Sequence, residues 1–167
     1  MSGNRPSDRA PSNTSSRKSL HLRGTAEFLV ALFLVSVVLN YAWEVSQAFL
    51  YQGMVSSRAI WLHCFVAALG DGLILGLIHL CGCILFKDFQ WSARLGLLRF
   101  VFMTTSGLVI SIAIEWVAVH QLHRWSYTDQ MPMLPGMDIG LVPVMQMVLL
   151  PPIIFCLTNY WTRQKPS

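Results

Sequence analysis

Apolar residues run along this chain in four long blocks separated by shorter polar stretches. The first extends from about Ala26 to Leu50 and opens with the uninterrupted FLVALFLVSVVL of Phe28 to Leu39. The others cover residues 59 to 86, 97 to 119 and 141 to 160. About 20 predominantly apolar residues cross the hydrocarbon of a bilayer as a helix, so each block predicts one span. The expected fold is all-α: a polytopic membrane protein with four transmembrane helices forming a single domain over residues 23–167. Residues 1–22 are rich in Ser, Asn, Pro and Arg and nearly devoid of large apolar side chains, which predicts a disordered cytoplasmic arm. A basic arm before an apolar run also describes a signal peptide, but no small-x-small cleavage site follows and the apolar pattern continues past Tyr41.

Within the second block Ala68, Gly72 and Gly76 recur at four-residue intervals, a pattern that lets membrane helices approach closely. The fourth block carries Pro143 near its start and Pro151-Pro152 inside. Each inner proline lacks an N–H and frees a carbonyl one turn earlier, at Met147 and Val148, so a kink or local unwinding is expected there.

Composition supports the bilayer as solvent: of 167 residues, 54% are hydrophobic and only 12% charged. The net charge of +4 does not point to nucleic acid, because the basic residues flank apolar blocks rather than forming a stripe. Ten of the 12 Lys and Arg residues (Arg5, Arg9, Arg17, Lys18, Arg23, Lys87, Arg94, Arg99, Arg163, Lys165) fall on one side of the spans, and two, Arg58 and Arg124, on the other. That asymmetry places both termini in the cytoplasm, in a bacterial inner membrane. Trp43, Tyr51, Trp61, Trp116 and Trp125 are expected at the outer interface, and Trp91, Tyr160 and Trp161 at the inner one. The four cysteines, Cys64, Cys81, Cys83 and Cys156, lie in apolar segments and read as buried thiols rather than a disulfide framework.

Charged and amide side chains inside a membrane are rare enough to be informative. The first span places Asn40, Glu44 and Gln47 on one face of its outer half, with Tyr51 continuing the stripe. The second brings His63 near its outer end and Asp71 about 12 Å deeper on roughly the same face. The third carries Glu115 to the depth of Glu44, with Ser111 a turn below and His120 just beyond, and the fourth adds Gln146 at matching height. Above them lies the loop from Gln121 to Gly140, with Trp125 and Tyr127. The arrangement predicts a polar pocket opening outward.

Three chemistries are compatible with that layer. Polar residues hydrogen-bond membrane helices together, although paired carboxylates serve this poorly unless one is protonated. Close carboxylates in a low dielectric also suit proton transfer or ligand binding. Glu44, His63, Glu115 and His120 have ligand types for a metal, but no helix carries an HExxH-like spacing, and no metal or other cofactor is expected. Met131, Met133 and Met137, near His120 and His123, suit Cu(I) on paper, and read more simply as apolar filler. In the run His79, Cys81, Cys83, helical geometry turns Cys81 away from the other two, which favours a structural role. Phosphate-cradling glycine loops and nucleophile-elbow patterns are absent from the sequence.

The segments WEVSQAFLY (Trp43 to Tyr51), HCFVAALGD (His63 to Asp71), EWVAVHQLHRWSYTDQMP (Glu115 to Pro132) and GLVPVMQMVLLPP (Gly140 to Pro152) together resemble a group of small bacterial four-helix membrane proteins with no established activity. A second similarity, to membrane-embedded lycopene cyclases and related carotenoid-synthesis proteins, rests on Glu115, Trp125, Tyr127, Gly140 and Pro143. It implies Glu115 or Glu44 as an acid acting on a polyene, with Gln146 standing where a second acidic residue is expected. Two functions follow as expectations: an enzyme using Glu44 and Glu115 on a membrane lipid or isoprenoid, or a non-enzymatic component that packs against another membrane protein or a second copy, or passes protons or small solutes.

Overall fold

A computed structural model describes residues 14–54, 59–94 and 96–164, with side chains from residue 24 onward. Four helices make up the fold: α1 (Thr14–Gln47), α2 (Ile60–Phe86), α3 (Leu97–Trp116) and α4 (Leu141–Arg163). Each contains a stretch long and apolar enough to cross a membrane, over Gly24–Leu50, Ile60–Phe86, Leu97–Gln121 and Leu141–Arg163. These agree with the blocks read from the sequence because hydropathy and helical length measure the same constraint. Most of the N-terminal arm, residues 1–13, lies outside the described residues. The α1 backbone is helical from Thr14, so this helix extends N-terminally beyond the apolar block.

The helices stand in the order α2, α1, α4, α3. Neighbours in that series pack closely, whereas α2 and α3 touch only sparsely. The α1–α2 contact uses two of the expected small residues: Ala68 is fully buried, and a Cβ on Gly72 would stand 3.0 Å from the Phe33 ring. Gly76 does not take part, since a Cβ there meets nothing within 4 Å. The α3–α4 contact is tighter still, with an added Cβ on Gly107 only 2.0 Å from the Met147 carbonyl oxygen. That carbonyl is the one Pro151 leaves without a backbone donor, and close approach of a glycine Cα–H is a recognised way to cover such a group. Of the kink or local unwinding expected there, unwinding does not occur: α4 stays helical through Pro151 and Pro152.

The irregular turn falls instead at the outer end of α3, where Val117–Gln121 form a π-helical turn. At the opposite end of the bundle α2 stops at Lys87, whose left-handed φ of 50° ends the helix. Asp88 then pairs with Arg99 at 3.5 Å, and Arg99 Nη1 donates to the Trp91 carbonyl, so one residue of the basic flank also fastens the inner loop.

Several sequence expectations change at the level of individual side chains. Trp91 is not an interface anchor: it is fully buried, its indole N–H donates to the His79 carbonyl, and it sits against Gly82, where a Cβ would lie 2.2 Å from the ring. Tyr51 is likewise buried, whereas Trp61, Trp116, Tyr160 and Trp161 are exposed near the ends of their spans. Of the thiols, Cys64 is buried and Cys83 half-buried, but Cys81 and Cys156 are exposed. The outer surface of a span is itself apolar, so a thiol is tolerated there as readily as inside. His79 is buried among Phe28, Phe89, Trp91 and Phe155 and meets the Cys83 sulfur at 3.4 Å, while Cys81 points away.

Candidate functional site

The polar residues of the outer half divide into two groups with different surroundings. One is a buried hydrogen-bond chain across α1, α4 and α2. Trp43 Nε1 donates to Gln47 Oε1 at 3.3 Å, and Gln47 Nε2 donates to Gln146 Oε1 at 3.1 Å. Gln146 Nε2 then donates to Asn40 Oδ1 and Asp71 Oδ2, both at 2.9 Å. Asn40 Nδ2 completes the chain on the Ser36 carbonyl and hydroxyl oxygens, at 2.9 and 3.0 Å. Both amide hydrogens of Gln146 and its carbonyl are engaged, so α4 is tied to α1 and α2 by an amide that is satisfied without bearing charge.

The second group lines a cavity of about 570 Å³ between α1, α2 and α3. Glu44 enters from α1, Asp71 and His63 from α2, and Glu115 from α3. Ala48, Met54, Leu62, Val66, Ile74, Ile114 and Pro143 supply apolar wall. That size and makeup, mostly apolar with a few convergent polar groups, are those of a small-molecule site. Asp71 belongs to both groups, presenting a carboxylate to the cavity while Gln146 holds one of its oxygens.

Glu115 is buried, and its position is set by the loop above it. Trp125 Nε1 donates to Glu115 Oε2 at 3.3 Å, and the Tyr127 hydroxyl donates to the same oxygen. The loop is fixed in turn by pairing with the α1–α2 connection. Tyr51 and Tyr127 form an antiparallel bridge, the Gln52 N–H donates to the Ser126 carbonyl at 2.9 Å, and the Thr128 N–H donates to the Leu50 carbonyl at 2.9 Å. Met131 packs with Leu50 and Tyr51 beneath this roof, which makes it filler, while Met133 and Met137 are exposed. Burial, and then the charge of Glu115, raise the Tyr51 and Tyr127 phenols above the usual tyrosine range, keeping both as neutral donors.

Of the residues singled out by sequence, Glu44, His63, Asp71, Glu115 and Trp125 line the cavity. Tyr127 reaches it through Glu115. Asn40, Gln47 and Gln146 stand behind it in the hydrogen-bond chain. His120 is elsewhere: its Nε2 lies 3.1 Å from the Met137 carbonyl and its ring packs on Trp116. These contacts hold it away from the cavity lining, so Glu44, His63, Glu115 and His120 do not converge as a ligand set. Among the described residues no group of three or more His, Cys, Asp or Glu is arranged to hold a metal ion.

Tyr51, Cys64 and Arg124 line the cavity without having been singled out as pocket residues. Tyr51 was signalled by its seven-residue spacing from Glu44, two helical turns along one face. Arg124 carried no such signal, because only the folded loop brings it over the cavity.

Fold and site together define a multi-pass integral membrane protein with an acidic, largely apolar-walled cavity in one half of its bundle. Comparison with protein families, curated proteins and solved structures finds no match.

Proposed function

We propose that this protein is an inner-membrane enzyme that carries out acid–base chemistry on a lipid or isoprenoid, with Glu115 donating a proton and Glu44 accepting one. The observation that carries this reading is that three carboxylates, Glu44, Asp71 and Glu115, line one apolar-walled cavity. Gln146 is spent wholly on hydrogen bonds inside the bundle, whereas these carboxylates, although Gln146 holds Asp71 and Trp125 and Tyr127 hold Glu115, also face a space large enough for a ligand. Trp125 and Tyr127 both engage Oε2 of Glu115, which fixes the carboxyl group at the cavity wall. Shared acidic surroundings of low dielectric favour one protonated and one ionised partner, the division of labour an acid–base pair requires.

The similarity to carotenoid-synthesis proteins agrees with a polyene or isoprenoid chain as the group protonated. The distribution of Lys and Arg puts the cavity on the side away from the cytoplasm. The test is to reconstitute the full chain with lipids extracted alongside it and incubate in D₂O. Deuterium entering a carbon-bound position, lost in Glu115→Gln and in Glu44→Gln, is the expected result. No exchange into any extracted lipid would remove the acid–base assignment.

A further inference from the structure

The cavity has a roof and three closed sides. Above it the α1–α2 and α3–α4 loops are paired through Tyr51–Tyr127, Gln52–Ser126 and Leu50–Thr128. On the sides α1 is packed along α2 at Ala68 and Gly72, α1 is tied to α4 by the Gln146 hydrogen bonds to Gln47 and Asn40, and α3 is pressed onto α4 at Gly107. The fourth side, between α2 and α3, is the one place where adjacent spans touch only sparsely.

The residues at that opening are exposed and mostly apolar, with His63 the polar side chain among them. Leu62 and Val66 of α2 are 64% and 59% exposed, Ile114 of α3 is 43% exposed, and all three line the cavity. The cavity wall is therefore continuous with the apolar outer surface of the spans, the surface that lipid chains would cover. Toward the cytoplasm the same seam continues as a groove of about 720 Å³, walled by Leu85, Phe86, Leu98, Val101 and Phe102 among others.

Arg124 adds chemical direction. It lines the cavity beside the roof and is exposed, and among the described residues its guanidinium has neither an ion pair nor a hydrogen bond, even with three carboxylates on the same cavity. An unpaired guanidinium at the headgroup level of a bilayer is a receptor for phosphate or carboxylate, which it grips with a planar fork.

We propose that the cavity is loaded sideways, through the seam between α2 and α3, by an amphiphile dissolved in the outer leaflet whose anionic head group stops at Arg124 while its chain reaches Glu44, Asp71 and Glu115. This rests on the lipid-directed reading of the same cavity and names the ligand class and its route. The carboxylates then meet the chain, where protonation is chemistry, and the head group stays at the rim, where it meets a cation.

The experiment uses the full chain in lipid nanodiscs, with farnesyl phosphate and farnesol as probes and native mass spectrometry to follow loading over time. Val66→Trp fills the opening and is expected to slow loading by about tenfold or more, while Val38→Trp, on the exposed face of α1, leaves it unchanged. Arg124→Gln is expected to weaken farnesyl phosphate by about tenfold and farnesol hardly at all, with Arg124→Lys restoring part of the difference. Thermal unfolding of each variant checks that it is folded, and the two positions test the proposal independently. Equal loading of wild type and a folded Val66→Trp overturns sideways access, and equal loss of both probes in Arg124→Gln overturns head-group recognition; deuterium exchange dependent on Glu115 would survive either result. Failure of wild type to load either probe overturns the proposal together with the isoprenoid reading.

Discussion

At the scale of single residues, the question is what distinguishes a carboxylate that works from one that holds helices together. Glu115 has two donors on one oxygen, and Gln at this position presents a carbonyl that accepts both. Glu115→Gln is therefore expected to unfold within a few degrees of wild type while losing the proton it could donate. Tyr127→Phe removes one of those donors and should lower stability by about 1–3 kcal/mol, read as a drop in unfolding temperature in detergent. The phenol also gives a pH signature. An ordinary tyrosine ionises near about 10, and burial holds Tyr127 and Tyr51 protonated above that in the fold. The unfolded chain releases these protons first, so stability is intact below that pH and falls as pH rises beyond it. Tyr127→Phe should shallow that alkaline fall; an unchanged slope would mean that this phenol does not contribute.

At the scale of elements, glycine marks which helix contacts are tight. Gly107→Ala drives a methyl into the Met147 carbonyl and should cost about 1–3 kcal/mol or separate α3 from α4. Gly76→Ala, with open space around it, should stay within about 0.5 kcal/mol of wild type. Equal effects of the two, measured by thermal unfolding, would contradict the packing described. The four-residue spacing identified Ala68 and Gly72 as contact positions, but it cannot tell which member of such a series faces a neighbour, and it says nothing of Gly107, whose partner is a carbonyl freed by a proline on another helix. The spans themselves were legible because the bilayer imposes length and apolarity directly. The π-helical turn after Glu115 was not. His120 was expected in the pocket from its depth alone, and a position five residues past Glu115 does not share its face on a regular helix, so the pocket lacks it. Helical periodicity found Glu44, Asp71 and Glu115 because each lies on a regular helix. Arg124 depends on loop pairing, which has no period to read.

At the scale of the whole molecule, an even number of spans returns the chain to the side on which it started, and the basic residues predict that this side is cytoplasmic. In a cysteine-free background, Asp129→Cys should react with a membrane-impermeant maleimide on intact cells, and Gln90→Cys only after permeabilisation. The reverse pattern would invert the cavity with respect to the two leaflets. The asymmetry of the bundle follows from the same packing: α1 and α4 are held to their neighbours by small residues and by the Gln146 hydrogen bonds, while α2 and α3 are left apart. A structure of this kind gives up one helix contact and gains a cavity beside the open seam.

The central claim is that the acidic cavity is a ligand site rather than a brace between helices. The most direct measurement compares wild type with Glu44→Gln and Glu115→Gln in purified protein, reading thermal unfolding and bound lipid on the same samples. Glu115→Gln is expected to stay folded and to come away without a lipid that wild type retains. If Glu115→Gln unfolds the protein and wild type carries no specific lipid, the carboxylates are structural and the account fails.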